Sequence, residues 1–313
     1  MERARQFSAG NKFLQIKVNS SSLGEAKQCW RKYYYKIIRR LVRKGSNAAI
    51  DFGTLAHKAL NVFYKRQADG VGYERNLVET LREILPVAMH QLPSDVPQNP
   101  QSLCRFVVWF LDKYERSGMG AKTLVLQGHP ATELSFEFPS GFAAQSTGED
   151  ITLFGTIDRL CTMQGKVYPR DLKTTKRALG SHFADSFSPD NQFSLYMLAV
   201  RMFFNLPSDE MLLDGAQIGQ NFVRFQTDLV PRPSGVLDEW LGSLPFWLNQ
   251  LEACASSAQW HEQNGSQPEL AYPQNDKACS MYGGCQFRKV CSRSPSQREH
   301  LLGLEFEERK EGQ

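Results

Sequence analysis

No stretch of this 313-residue sequence carries the run of about 18 apolar residues that a membrane-spanning helix needs, so no membrane partner is expected. The N-terminal MERARQFSAGNKF is basic but has no apolar segment behind it, which argues against a secretory signal. Internal repeats and low-complexity tracts are lacking, and so is a phosphate-binding loop. In Gly118-Met119-Gly120-Ala121-Lys122-Thr123, alanine stands where a glycine must precede the lysine, and residue 116 is Arg rather than Gly. No nucleotide-driven motor activity is therefore expected. Acidic residues are missing from one conspicuous place: Trp30 to Lys44 (WRKYYYKIIRRLVRK) holds seven basic residues and none of opposite sign.

What is present describes a globular protein, with 41% hydrophobic and 22% charged residues. Without a secretory signal the chain is expected in a reducing, cytoplasmic compartment, where its seven cysteines are not disulfide partners. Three of them, Cys279, Cys285 and Cys291, crowd into 13 residues, as metal ligands do. The net charge of +4 is too small to identify a nucleic-acid partner, but the basic stretch interleaved with aromatics suits phosphate contacts and base stacking. It equally fits an amphipathic helix, because Trp30, Tyr34, Ile37 and Leu41 recur at helical spacing. Both readings hold if the basic side chains face outward. On that basis Arg31, Lys32, Lys36, Arg39, Arg40 and Arg43 are the candidate DNA contacts.

The first 120 residues read as mainly helical. One helix is expected from the serines at 20–22 to about Arg43, closed by Gly45; others at 51–67, 72–91 and 100–116. Residues 131–138, 151–163 and 166–174 have the alternation and β-branched content of strands. Ser188-Pro189-Asp190 is expected to open a helix, with Ser at the N-cap and Pro at the first position. A strand at 213–226, a helix at 235–257 and a charged, mobile tail from Ser294 complete the pattern. The organisation is a mainly helical region 1–130, an α/β core 131–230, a helix and cysteine segment 231–293 and a tail 294–313, gathered in one structural unit.

Gln164-Gly165 supplies a two-residue hairpin loop between the second and third strands. Cross-strand partners then have residue numbers adding to 329, which sets Asp158 opposite Asp171. Lys173, two residues on, points to the same face. Pro169 must occupy a bulge or a position where no donor is needed. Opposed carboxylates destabilise a hairpin unless a cation lies between them, and hard oxygen ligands suit Mg²⁺ or Mn²⁺. A lysine beside them can stabilise charge on a phosphate, which together is the equipment of metal-assisted phosphodiester hydrolysis. An Asp-x-Lys by itself is commonly a solvated surface pair.

The ordered set Gly53-x-x-x-His57, Gly155-x-x-Asp158-Arg159, Asp171-Leu172-Lys173-Thr174 and Gln192-x-x-x-Tyr196 resembles the RecB-like branch of the PD-(D/E)XK nucleases over about residues 23–292. The resemblance implies a restriction-endonuclease-like core, a mixed sheet flanked by helices, with a helical attachment. It implies metal ligation by His57, Asp158, Asp171 and the Leu172 carbonyl, catalysis by Lys173, and Gln192 and Tyr196 contacting DNA or the active-site loop. Glu133 stands where many such proteins carry an acid, and ranks below the others. Taken singly, His57 reads as an ordinary helix histidine and the Gln/Tyr pair as a half-buried helix face.

Three C-terminal thiolates need a fourth. Cys104, Cys161 and Cys254 read as small core residues. Cys29, in Cys-Trp-Arg-Lys-Tyr, resembles the N-terminal cysteine segment of AddB-type iron-sulfur nucleases and CRISPR-associated RecB-like exonucleases. There one N-terminal and three C-terminal cysteines hold a 4Fe-4S cluster. The five-residue gap between Cys279 and Cys285 is longer than is usual in them, and Zn²⁺ is the rival metal. The function expected is a Mg²⁺- or Mn²⁺-dependent DNA nuclease, an exonuclease on single-stranded or end-bearing DNA, with a helicase or recombination protein as partner. The alternatives are a non-catalytic DNA-binding or scaffold subunit of the same fold and a zinc-stabilised binding module.

Overall fold

The computed structural model of the chain describes residues 6–45, 47–116, 121–204, 206, 208–281 and 284–309. Gly118-Met119-Gly120, the first five residues of the basic N-terminus and the end of the charged tail, which entered the readings above, lie outside the described residues. Two compact units emerge, each discontinuous in sequence: Met1–Gly45, Glu137–Gly155 and Glu239–Gln313 in one, Ser46–Phe136 and Thr156–Asp238 in the other. The first and last parts of the chain thus fall in the same unit, whereas the sequence was read as consecutive regions.

The first unit begins with β1 (Lys17–Val18), α1 (Ser20–Gln28), α2 (Trp30–Tyr33) and β2 (Leu41–Arg43). Asn19 and Ser22 cap α1 reciprocally, side chain to backbone in both directions. The continuous helix expected to Arg43 is not formed. Cys29 is extended (φ −166°, ψ 117°), ending α1 and opening α2. A π-helical turn, Tyr34–Ile38, follows, Arg40 takes a left-handed φ of 54°, and the chain leaves as a strand.

The second unit starts with α3 (Ala48–Ala68), capped by the Asn47 side chain, α4 (Tyr73–Gln91) and α5 (Pro100–Leu111), which begins with Asn99 as cap and Pro100 at N1. Short strands β3 (Lys122–Thr123), β4 (Val125–Leu126) and β5 (His129–Pro130) lead into β6 (Thr132–Ala143), β7 (Asp150–Met163) and β8 (Lys166–Thr175). Helices α6 (Ser181–Asp185) and α7 (Asn191–Phe204) supply the crossover that a parallel partner strand requires. That partner is β9 (Glu210–Ile218), which turns back into β10 (Val223–Pro231). One strand at 213–226 was expected; Gly219 N–H donates to Phe222 O and closes a hairpin within it. Helix α8 (Ser234–Gln263) returns the chain to the first unit, which ends with α9 (Arg288–Cys291), α10 (Pro295–Glu305) and β11 (Phe306–Glu308). The segment read as a mobile tail is thus folded to Glu308, β11 pairing with β2.

The sheet runs β1-β7-β8-β9-β10, with β3 and β6 also on β7. β8 and β9 are parallel and the neighbouring pairs β7–β8 and β9–β10 antiparallel, so the fold is mixed α/β, as expected. Phe52 and Phe63 of α3 and Phe106 and Phe110 of α5 pack on Leu172 of β8 and Ala216 of β9 in one buried cluster. That cluster fixes α3 over the sheet and carries His57 toward it.

Candidate active site

The β7–β8 ladder pairs Arg159 with Arg170, Leu160 with Pro169 and Met163 with Lys166, in the register expected from the loop. Gln164 and Gly165 have φ of 52° and 78°, the two positive values of a type I′ turn. Pro169 makes no bulge. Its partner Leu160 uses its N–H and C=O on the other side of β7, toward Ala131 and Leu124, so no donor is missed at Pro169. Beyond Arg159–Arg170 the Asp158 carboxylate crosses to β8, where Leu172 N–H donates to Oδ2 at 3.2 Å. Arg159 and Arg170, directly opposed, are each matched by a buried acid: Glu115 at 3.1 Å and Asp214 through two hydrogen bonds.

Three elements bring side chains to Asp158 and Asp171. From α3, His57 Nδ1 approaches Asp158 Oδ2 at 3.1 Å. From β6, Glu133 completes a group in which ligand atoms of His57, Glu133 and Asp158 all lie within 4.8 Å of one another. Glu133 has φ of 50°, a left-handed conformation that costs a non-glycine residue energy. The sequence ranked Glu133 below Asp171 as a ligand; among the described residues His57, Glu133 and Asp158 are the group whose ligand atoms converge closely enough that they could hold a metal ion. Asp171, 1% exposed, lies with Oδ2 2.7 Å from Lys173 Nζ. From α7, Gln192 ties the site together: Lys173 Nζ donates to Oε1 at 2.9 Å, and Nε2 donates to Asp171 Oδ1 at 3.3 Å and Tyr196 OH at 2.8 Å. The cap of α7 is Asp190 rather than Ser188, its carboxylate accepting from Gln192 and Phe193 N–H at 2.8 and 3.0 Å.

The electrostatics follow from burial and pairing. Burial pushes the Asp171 carboxyl up to about 6, with the Asp158 charge adding to it and Lys173 opposing. Burial would raise Asp158 too, but His57, Lys173 and the Leu172 N–H hold it below the usual carboxylate range. His57 is raised: burial disfavours its charge, and Asp158 more than compensates. Lys173 stays charged, since Asp171 and Asp158 outweigh its burial. Glu133 is raised by burial and by Asp158. A cavity of about 30 Å³ adjoins the trio, lined by Asn61, Tyr64 and Leu172 among others. Asn61 Oδ1 is buried there without a hydrogen-bond partner. An oxygen-rich donor set with mutually repelling carboxylates and an orphaned carbonyl fits a hard divalent cation.

The cysteine segment lies in the first unit. Asn275 joins Cys29 to the C-terminal group: its N–H donates to Cys29 Sγ at 3.4 Å, its carbonyl accepts from Cys279 Sγ at 3.6 Å, and its side chain donates to Gln28 O at 2.8 Å. Cys285 N–H donates to Cys279 O at 3.0 Å, and Gly284 turns the chain between them at φ 104°. Burial pushes the Cys291 thiol up to about 11, with Cys285, Cys29 and Cys279 contributing against Arg31. Burial, then Cys285 and Cys29, raise Cys279. Cys279 and Cys291 are thus the two thiols of the segment held protonated to higher pH, each by burial first and by neighbouring cysteines second.

The basic stretch is not an open phosphate-binding face. Arg31 is buried, donating to Tyr272 O and facing Glu269 at 3.6 Å. Lys32 and Lys36 both reach Glu25, Arg39 holds Glu299 through two hydrogen bonds, and Arg43 faces Glu305 at 3.8 Å. Arg40 contributes a carbonyl that accepts from Arg309 N–H. No outward helical face lines these cations up, because α2 is four residues long.

The PD-(D/E)XK nuclease superfamily model matches residues 17–292, and the chain belongs to that superfamily. No curated protein matches the sequence. The solved structure of SSO0001 is similar over 61% of this chain and 87% of its own, at 14% identity and a TM-score of 0.25. Membership makes this a nuclease fold with a metal-dependent site. No helix of the described residues is long and apolar enough to cross a membrane.

Proposed function

We propose that the chain is a Mg²⁺- or Mn²⁺-dependent deoxyribonuclease, acting as an exonuclease on single-stranded or end-bearing DNA. The observation that carries it is the linked set from His57 to Tyr196: an oxygen- and imidazole-lined cation position beside a lysine kept charged in a buried setting. A cation held by His57, Glu133 and Asp158, with Asp171 and the Leu172 carbonyl alongside, would polarise the phosphate and lower the pKa of the attacking water. Lys173, oriented by Gln192, presents N–H donors to the phosphate oxygen where charge accumulates. Tyr196 fixes the Gln192 amide, so that one face serves Lys173 and the other Asp171. Exonucleolytic action, a helicase or recombination partner, and a role in DNA repair, recombination, phage replication or CRISPR adaptation are taken from the resemblance to RecB-like nucleases.

The second centre we assign is a 4Fe-4S cluster on Cys29, Cys279, Cys285 and Cys291, in a reducing, cytoplasmic setting. Its support is the Asn275 bridge between chain segments 246 residues apart and the mutual effect of the thiols. The test of activity is end-labelled linear, circular and single-stranded DNA incubated with Mn²⁺ or Mg²⁺. Linear and single-stranded DNA should be degraded, and Asp158→Ala, Asp171→Ala and Lys173→Ala should each lower the rate by at least about a hundredfold. Intact DNA with the wild-type protein would refute the nuclease reading; unchanged rates in the three variants would refute the site.

A further inference from the structure

We propose that Lys58 and Lys65 of α3, with Lys176 beyond the end of β8, receive the phosphodiester backbone on either side of the cation position. The substrate class rests on the nuclease reading. The surface itself rests on where free cations stand in the second unit.

Thr54, Lys58, Asn61 and Lys65 recur at i, i+4, i+7 and i+11 and so share one stripe of α3. Asn61 lines the cavity beside His57 and Asp158, which sets that stripe against the site. Lys58 lies one turn before Asn61 and Lys65 one turn after it. The two are about 10.5 Å apart along the helix axis, at about 1.5 Å per residue. Both are exposed, and among the described residues no ion pair or side-chain hydrogen bond holds either. Lys65 is close enough for its charge to act on Glu133, within the trio. At the start of α3, a Cβ at Gly53 would stand 3.4 Å from Thr174 Oγ1, so the end of β8 runs against the start of this helix. Lys176, exposed and, among the described residues, without an ion pair, follows two residues later.

The contrast with the other basic region is chemical. A phosphate binding at Lys32, Lys36 or Arg39 must first displace a carboxylate that already satisfies the cation. At Lys58, Lys65 and Lys176 it displaces only water and counterions, which is the source of affinity in phosphate recognition. Lysine, a mobile point charge, suits contacts that follow a backbone without reading sequence.

The experiment is equilibrium binding of a fluorescent single-stranded oligonucleotide across a salt series, without added divalent cation so that nothing is cut. Wild type, the double variant Lys58→Ala/Lys65→Ala, and Lys32→Ala/Lys36→Ala are compared, with circular dichroism confirming the fold of each. Losing two contacts should weaken binding about tenfold and flatten the log–log salt slope by about 1.4. The Lys32/Lys36 variant should match wild type, and Lys176→Ala added to the first double should weaken binding again. Wild-type protein that does not bind, or a Lys58/Lys65 variant with unchanged affinity and slope, overturns the proposal. Protein that binds through these lysines yet cuts nothing with Mn²⁺ refutes the nuclease reading and leaves the surface standing. Cutting by wild type with unaltered binding in the variant does the reverse.

Discussion

Asp171 and His57 share an unusual property: both are held protonated to a higher pH than their ordinary values. For Asp171 the cause is burial with a like charge nearby; for His57 it is the Asp158 carboxylate, acting against burial. A group whose folded pKa is raised contributes stability that is full below its unfolded pKa and is lost as pH rises through the folded value. Cation-free protein should therefore lose thermal stability between about pH 5 and pH 8, and Mn²⁺ should restore it at the upper end. Cation uptake requires both groups to release their protons. Affinity for Mn²⁺ should accordingly fall by about a hundredfold per pH unit well below about 6, where both groups are protonated, with two protons released on binding. Isothermal titration in buffers of different ionisation enthalpy checks this, and pH-independent uptake would exclude ligation by these groups. Glu133→Gln should weaken Mn²⁺ binding in the same titration, since it removes one of three converging ligand atoms.

Among elements, the β7–β8 hairpin was the most legible, because a two-residue loop with a glycine fixes register, which the ladder follows from Met163–Lys166 to Arg159–Arg170 without extending to an Asp158–Asp171 pair. What the sequence could not show is the layer behind them. Arg159 and Arg170 oppose each other at the centre of the ladder, and the acids that match them, Glu115 and Asp214, come from distant segments. Asp214 also accepts from Thr227 Oγ1 at 2.7 Å, and Arg170 stacks over the Tyr114 ring at 4.9 Å. Asp214→Ala would strand a buried guanidinium next to Asp171 and should cost about 3–5 kcal/mol by chemical denaturation. A loss below about 1 kcal/mol would show the pair to be dispensable. The helix expected through residue 43 failed for a related reason. Neither proline nor glycine marks the break at Cys29, which depends on Asn275 and a partner strand near the other end of the chain. The basic stretch likewise has partners the sequence did not show, Glu25 for Lys32 and Lys36 and the distant Glu269, Glu299 and Glu305 for its arginines. Glu133 gave one readable signal, an acid in the first long strand; its left-handed backbone gave none.

At the scale of the whole molecule, the chain's first and last parts combine into one unit while the residues proposed to be catalytic all fall in the other. Cluster assembly therefore separates experimentally from catalysis. Cys29→Ser should abolish the visible absorbance and iron content of anaerobically purified protein, whereas Cys104→Ser, on α5 of the other unit, should leave both unchanged. Equal loss in both variants would remove Cys29 from the ligand set, and zinc in place of iron would identify the rival metal.

The Asn275 bridge between Cys29 and the C-terminal cysteines also sets a timetable. The 250 residues from Cys29 to Cys279 take about 12–50 s to synthesise at about 5–20 residues per second. During that interval Cys29 is a thiol without its partners, and the segment bearing the proposed nuclease site is itself made, its last residue, Asp238, preceding Cys279 by 41 residues. The proposed cluster can therefore close only after the residues of the second unit have all been made, and the nascent chain depends on its surroundings to keep one early cysteine reduced until Cys291 arrives.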